Sequence, residues 1–240
     1  MPFFERDAIK LYYETHGTGF PVLLIAPGGM RSAVSYWETT PWNPITHLAP
    51  NYRLIAMDQR NAGSSVAPIS ADDSWHVYTR DQLALLDHLG VERFHVAGMC
   101  IGGPYIMGLI REAPQRVTSA VLFQTIGLDD NRQAFFDMFD SWADDLKPNR
   151  PEVSENAWES FKTSMYSGDF LFNASRDFVS ACQTPLLVMP GNDLHHPEVS
   201  SRDVHALAPN STYVEKWKEP EHHAAAMQAV EDFLARHTPA

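Results

Sequence analysis

Cys100 is the residue whose surroundings most clearly suit chemistry. It is the centre of Gly98-Met99-Cys100-Ile101-Gly102, preceded by the apolar Val96-Ala97 and followed by Gly103-Pro104-Tyr105-Ile106-Met107, which reads as a helix. A strand, a nucleophile-type residue between two glycines, and then a helix is the layout of a nucleophile elbow. The flanking glycines meet a physical need, because side chains two before and two after a strained turn would strike the neighbouring strand and helix. Such a turn sets its central side chain at a helix N-terminus, where the partial positive charge favours an anion. For a cysteine that anion is the thiolate, its reactive form. The plainer alternative is a buried, inert cysteine in a Gly-rich turn. The pentapeptide alone does not separate the two.

The elements that must position Cys100 read as an α/β alternation. Phe3–Arg6 and Ile9–His16 are short opening strands, and Pro21–Ala26 is a continuous apolar strand suited to burial on both faces of a parallel sheet. It runs into Pro27-Gly28-Gly29-Met30-Arg31, where paired glycines let backbone N–H groups face a ligand. A helix broken by Pro41 and Pro44 is expected over Ser35–Leu48, then a strand over Tyr52–Met57 and an amphipathic helix over Trp75–Leu89 stopped by Gly90. Further strands are expected at Phe94–Ala97, Val117–Gln124, Pro185–Met189 and Thr212–Trp217. Helices follow Cys100, cover Glu198–Leu207 and close the chain from Glu219 onward. Strands alternating with helices imply a mostly parallel sheet flanked by helices in a single domain.

One block interrupts that alternation. Asn131–Lys147 carries Phe135, Met138, Phe139, Trp142 and Leu146 at helical spacing, Pro151–Tyr166 carries Trp158, Phe161 and Met165, and a third short helix follows Ser175. A helical insertion spanning about 127–180 lies at the carboxyl end of the sheet, over the ligand crevice. Its aromatic residues read as packing between small helices and, for some, as the wall of a substrate pocket.

Composition bounds the rest. The 240 residues, 44% hydrophobic, suffice for one large core, and a net charge of −12 argues against nucleic acid or an anionic membrane surface as partner. Two cysteines make no disulfide framework, no apolar run reaches membrane-spanning length, and the N-terminus lacks a signal-peptide pattern, so a cytoplasmic location is expected. No Cys/His spacing suggests a metal, and no cofactor is called for. The oligomeric state is not legible, a homodimer being one arrangement open to the chain.

Taken in order, these motifs resemble the α/β-hydrolase fold, an eight-stranded, mostly parallel sheet with a small helical cap. The matching features are the Gly-rich turn after the third strand, Asp58-Gln59-Arg60-Asn61-Ala62-Gly63-Ser64-Ser65 after the fourth, the elbow after the fifth, the helical block, Gly191-Asn192-Asp193 after the penultimate strand, and histidines at the last helix. The resemblance implies a triad in the chain order nucleophile, acid, histidine. Cys100, Asp193 and His222 fill that order here, with His223 as the alternative base and Asp129 or Asp130 as the fallback acid. It also implies an oxyanion hole of backbone N–H groups from Gly29 or Met30 and from Ile101. Arg31, Trp37, Phe135, Phe139, Trp142 and His195 are expected at the substrate pocket, and His196 in a loop near the site.

The chain departs from the family pattern in having Cys rather than Ser at the elbow. There it is similar to dienelactone hydrolases, in which a Cys elbow precedes a double glycine such as Gly102-Gly103. It has Pro27-Gly28 where His-Gly is usual, and little loop ahead of His222. The expected activity is hydrolysis of an activated carbonyl compound (a lactone, enol ester or thioester) through an acyl-thioester. A catalytically silent small-ligand receptor and an acyltransferase are the alternatives.

Overall fold

A computed structural model describes residues 2–239. Eight strands form one sheet in the order β1-β2-β4-β3-β5-β6-β7-β8, where β1 is Phe3–Arg6, β2 Ile9–His16, β3 Phe20–Ile25, β4 Tyr52–Met57, β5 Phe94–Met99, β6 Val117–Phe123, β7 Leu186–Met189 and β8 Ser211–Tyr213. The β1 and β2 strands pair antiparallel, as do β2 and β4, and every later pairing is parallel. This is the mostly parallel, helix-flanked α/β sheet read from the sequence.

The central strands explain their own position. Val22, Leu23, Leu24 and Ile25 of β3 are fully buried, as are all six residues of β5, because helices cover both faces of a parallel sheet. Each Val, Leu, Ile, Phe or Met side chain among them contributes about 1.5–3 kcal/mol of transfer free energy. The helices are α1 (Pro44–Leu48), α2 (Trp75–His88), α3 (Gly102–Glu112), α4 (Arg132–Leu146), α5 (Glu155–Tyr166), α6 (Arg176–Ala181), α7 (Glu198–Leu207) and α8 (Pro220–His237). Gly90 ends α2 at φ 67°, letting the Val91 N–H return to the Leu86 carbonyl.

Two expectations are corrected. The segment expected as one broken helix over 35–48 is a 3-10 stretch, Val34–Thr39, followed by α1, which starts at Pro44 with Asn43 capping the Ile45 N–H. The last strand is three residues long rather than six. The chain leaves the sheet after Tyr213, and Trp217 is buried instead, with its Nε1–H donating to the Pro190 carbonyl at 2.9 Å. That indole ties the β8–α8 connection to the end of β7.

The block between β6 and β7 holds α4, α5 and α6 and no strand. Phe139, Trp142, Trp158 and Phe161 pack edge to face within it. Two residue anchors fasten α4 to earlier turns: the Trp142 indole donates to the Asn61 carbonyl, and the Arg31 guanidinium donates to Ser141 and Asp145. Among the described residues no helix is long and apolar enough to cross a membrane.

Candidate active site

Cys100 sits at φ 62°, the left-handed region, between the end of β5 and the start of α3. The strain is held in place by backbone bonds on both sides: Cys100 N–H to the Phe123 carbonyl at 3.0 Å, and the Cys100 carbonyl to the N–H groups of Gly103 and Ile126, each at 3.1 Å. A Cβ on Gly98 would lie 3.0 Å from the Gly102 Cα, and one on Gly102 would lie 3.2 Å from the Ile25 carbonyl. The two glycines therefore let strand and helix meet behind the cysteine, as the elbow reading requires.

The histidine beside Cys100 is His196. It lies in the loop between β7 and α7, three residues after Asp193. Its Nδ1 is 2.7 and 2.9 Å from the two Asp193 carboxylate oxygens, and Asp193 Oδ1 also accepts the backbone N–H groups of His195 and His196 at 3.1 Å. The acid thus fixes both the ring and the turn that carries it. With Nδ1 turned to the carboxylate, the buried Nε2 makes no hydrogen bond among the described residues, and the Cys100 thiol is the group beside it that acts on it most. Asn131 braces the loop from α4's N-terminus, donating to the Leu194 carbonyl at 2.6 Å and the Gly127 carbonyl at 3.1 Å.

The electrostatics follow from this arrangement. Burial pushes the Cys100 thiol up, but the neighbouring His196 and its charge, with the backbone of Gly28 and Gly29, outweigh it and hold the thiol below its usual value. Burial pulls His196 down, and the neighbouring Cys100 and then the bonds to Asp193 raise it to about 8. Burial raises Asp193, and its bonds to His196 and to the loop backbone leave it lowered overall. All three shifts run toward the charged forms: thiolate, imidazolium and carboxylate.

A cavity of about 440 Å³ opens over this group, lined by Pro27, Gly28, Gly29, Gln124, Ile126, Phe135, Met138 and His195 together with Cys100 and His196. Gly29 has φ 58°, and a Cβ there would fall 2.3 Å from Met138 Sδ, so the glycine brings the turn after β3 up against α4. Among the described residues no group of three or more His, Cys, Asp or Glu side chains could hold a metal ion.

The structure brings Cys100, Asp193, Gly29, Phe135 and His195 to one place, and Ile101 begins the turn into α3 beside them. It does not bring His222 or His223 there. The β8–α8 connection is held against Pro190 by Trp217, which leaves both histidines in the first turn of α8, where His223 Nε2 bonds the Lys218 carbonyl at 2.7 Å. Asp129 and Asp130 are exposed and do not touch His196. Met30 is buried and does not line the cavity. Trp37, Phe139 and Trp142 are buried in packing, and Arg31 bonds Ser141 and Asp145, so these four also leave the lining. Sequence reasoning missed Gln124, Ile126 and Met138, and it placed His196 only near the site. A signal for His196 existed. Asp193-x-x-His196 is the spacing of a carboxylate bonded across one turn, and Gly191 makes room for it: a Cβ on Gly191 would lie 2.3 Å from the His196 Cβ.

A family model described as the alpha/beta hydrolase fold matches residues 21–200, and the chain belongs to that family. A protein of Azorhizobium caulinodans carrying the provisional name carbamate hydrolase RutD is 37% identical over 122 residues, 51% of this chain and 43% of that protein. One of Mycobacterium tuberculosis provisionally named non-heme bromoperoxidase BpoC is 33% identical over 128 residues, 53% of this chain and 47% of that protein. Each match spans somewhat under half of the relative's length. Among solved structures, the enol-lactonase from Burkholderia xenovorans LB400 superposes with a TM-score of 0.73 at 21% identity, covering 98% of this chain and 100% of that one. The fold is shared; at that identity the likeness extends no further.

Proposed function

We propose that the protein hydrolyses an activated carbonyl compound (a lactone, enol ester or thioester) with Cys100 as nucleophile, His196 as general base and acid, and Asp193 as the group that orients His196. The observation that carries this reading is the bonding of one imidazole to Asp193 through Nδ1 while its Nε2 has the Cys100 thiol beside it, at the floor of a cavity. A nucleophile, a base within reach of it and a third group holding the base is the pattern of covalent acyl transfer. The Cys elbow with Gly102-Gly103, similar to that of dienelactone hydrolases, supports the choice of an activated carbonyl.

The Cys100 thiolate adds to the carbonyl carbon, and the developing oxyanion is received by the backbone N–H groups of Ile101 and Gly29, each such donor being worth about 3–4 kcal/mol. The tetrahedral species collapses as the leaving oxygen or sulfur takes the proton from His196 Nε2, leaving an acyl-thioester on Cys100. Water then attacks the thioester, passing its proton back to Nε2, and the carboxylic acid departs with the thiolate restored. Asp193 keeps the Nδ1 proton in place and balances the imidazolium charge at both stages.

Incubation with a panel of lactones and aryl thioesters, followed by intact-mass measurement, tests this. The reading predicts released acid and a transient acyl adduct mapping to Cys100, both absent in Cys100→Ala. Full hydrolysis by Cys100→Ala contradicts it. An adduct that persists in water but transfers to an added amine or thiol points to an acyltransferase instead, and binding without any adduct points to a silent receptor.

A further inference from the structure

None of the side chains lining the cavity is Lys, Arg, Asp or Glu. The one arginine at its edge in sequence, Arg31, is turned outward onto Ser141 and Asp145. The imidazole of His196 is already matched by Asp193 and Cys100. A substrate carrying a carboxylate would therefore leave water without gaining an opposite charge, which opposes its binding strongly.

Beyond the reacting pair, the polar side chains in the lining are Gln124 and His195. His195 is occupied in part, its ring standing edge-on to Phe135 at 5.4 Å between centroids. Gln124 is placed with more constraint. It follows the last residue of β6 at φ 38°, its N–H donates to the Met189 carbonyl at 2.7 Å, and two residues on the Ile126 N–H holds the Cys100 carbonyl. A left-handed backbone is unfavourable for glutamine and persists only where surrounding bonds over-determine it, a situation concentrated at ligand-contacting positions. The side chain is half-buried, yet neither amide atom has a hydrogen-bond partner among the described residues. By contrast, the nearby Asn131 amide bonds Gly127, Leu194 and Asp129. The Gln124 carboxamide thus offers an N–H donor group and a carbonyl acceptor, both uncharged, in the cavity that holds the nucleophile.

We propose that the site takes an uncharged acyl compound and that Gln124 reads a neutral amide-type group on its acyl portion, through reciprocal N–H···O bonds between the two carboxamides. This rests on the proposed attack by Cys100, since it names the substrate class of that same site. Sites that pair a polar group discriminate against the isostere that cannot answer it far better than apolar pockets do.

The test is binding, which needs no turnover. In the Cys100→Ala protein, the matched ketones 5-oxohexanamide and 5-oxohexanoate are titrated by ligand-observed NMR or calorimetry. The amide is expected to bind at least about ten-fold more tightly, and Gln124→Leu to reduce that ratio by about ten-fold. Gln124→Asn, which tolerates the left-handed backbone and keeps a shorter amide, guards against a folding failure of the leucine variant and is expected to lose part of the ratio. Equal binding of the two ketones, no binding of either, or a ratio unmoved by both variants overturns the inference. Preference intact without hydrolysis by the Cys100 protein would sink the proposed reaction alone, whereas hydrolysis with no preference would sink only the assignment to Gln124.

Discussion

In the proposed reaction the residue that decides the chemistry is His196, since Cys100 by itself is only a buried thiol. Removing it should cost more than a charge. His196→Ala is expected to lower kcat/KM by about 10²–10⁴ and to return the Cys100 thiol toward its ordinary range, while His222→Ala stays within about two-fold of wild type. Asp193→Asn should keep the loop in place but lose hold of the tautomer, giving a drop of about ten-fold or more that falls on kcat rather than KM. The pH profile follows from the same shifts. Below the depressed Cys100 value the thiolate is protonated, and above about 8 the imidazolium loses the proton that the leaving group needs. Activity should therefore fall on the alkaline side near pH 8, and a flat profile through pH 9.5 would contradict the assignment.

At the scale of elements, the β7–α7 loop carries both Asp193 and His196, and its shape is set by Gly191. A Cβ there would meet not only the His196 Cβ but its carbonyl oxygen at 2.4 Å, backbone that cannot swing aside. Gly191→Ala is expected to displace the ring and cost about 10²-fold in kcat/KM, with circular dichroism unchanged; an equal loss of folded protein would assign Gly191 to stability instead. The loop also shows where sequence reading reaches its limit. The elbow was legible because Gly98, Cys100 and Gly102 act within five residues, and the sheet because period and apolar runs are local. The partner histidine was not, because choosing between His196 and His222 depends on where the chain leaves β8, and that is settled by Trp217 bonding Pro190, a contact across 27 residues. The expectation that Phe135, Phe139 and Trp142 all line the pocket holds only for Phe135, for a similar reason. Phe135 faces the cavity while Phe139 and Trp142 face α5, and a helical stripe broad enough to touch both gives no sign of which neighbour each residue meets.

For the whole molecule, the sheet that presents the site also sets its acid limit. His95 of β5 is fully buried, its Nδ1 lying 2.8 Å from the Thr118 and Ser119 hydroxyls and its Nε2 3.0 Å from Thr238 Oγ1. Burial, with a smaller contribution from His237, lowers it to about 4, so the fold holds it neutral where the unfolded chain takes a proton below about 6.5. Stability contributed by the neutral form is complete above about 6.5 and declines as pH falls toward 4, by up to about 3 kcal/mol. Urea unfolding at pH 7 and pH 4.5 should show that decline in the wild type and a shallower one in His95→Gln; parallel curves would count against it. The account's central claim, that Cys100 is paired with the histidine of the β7–α7 loop, is tested most directly by the pH dependence of iodoacetamide alkylation at Cys100, followed by mass spectrometry. Wild type and His222→Ala should alkylate readily well below pH 8, and His196→Ala should do so only as the pH approaches the ordinary thiol range. If His222→Ala shifts the profile and His196→Ala does not, the pairing is wrong.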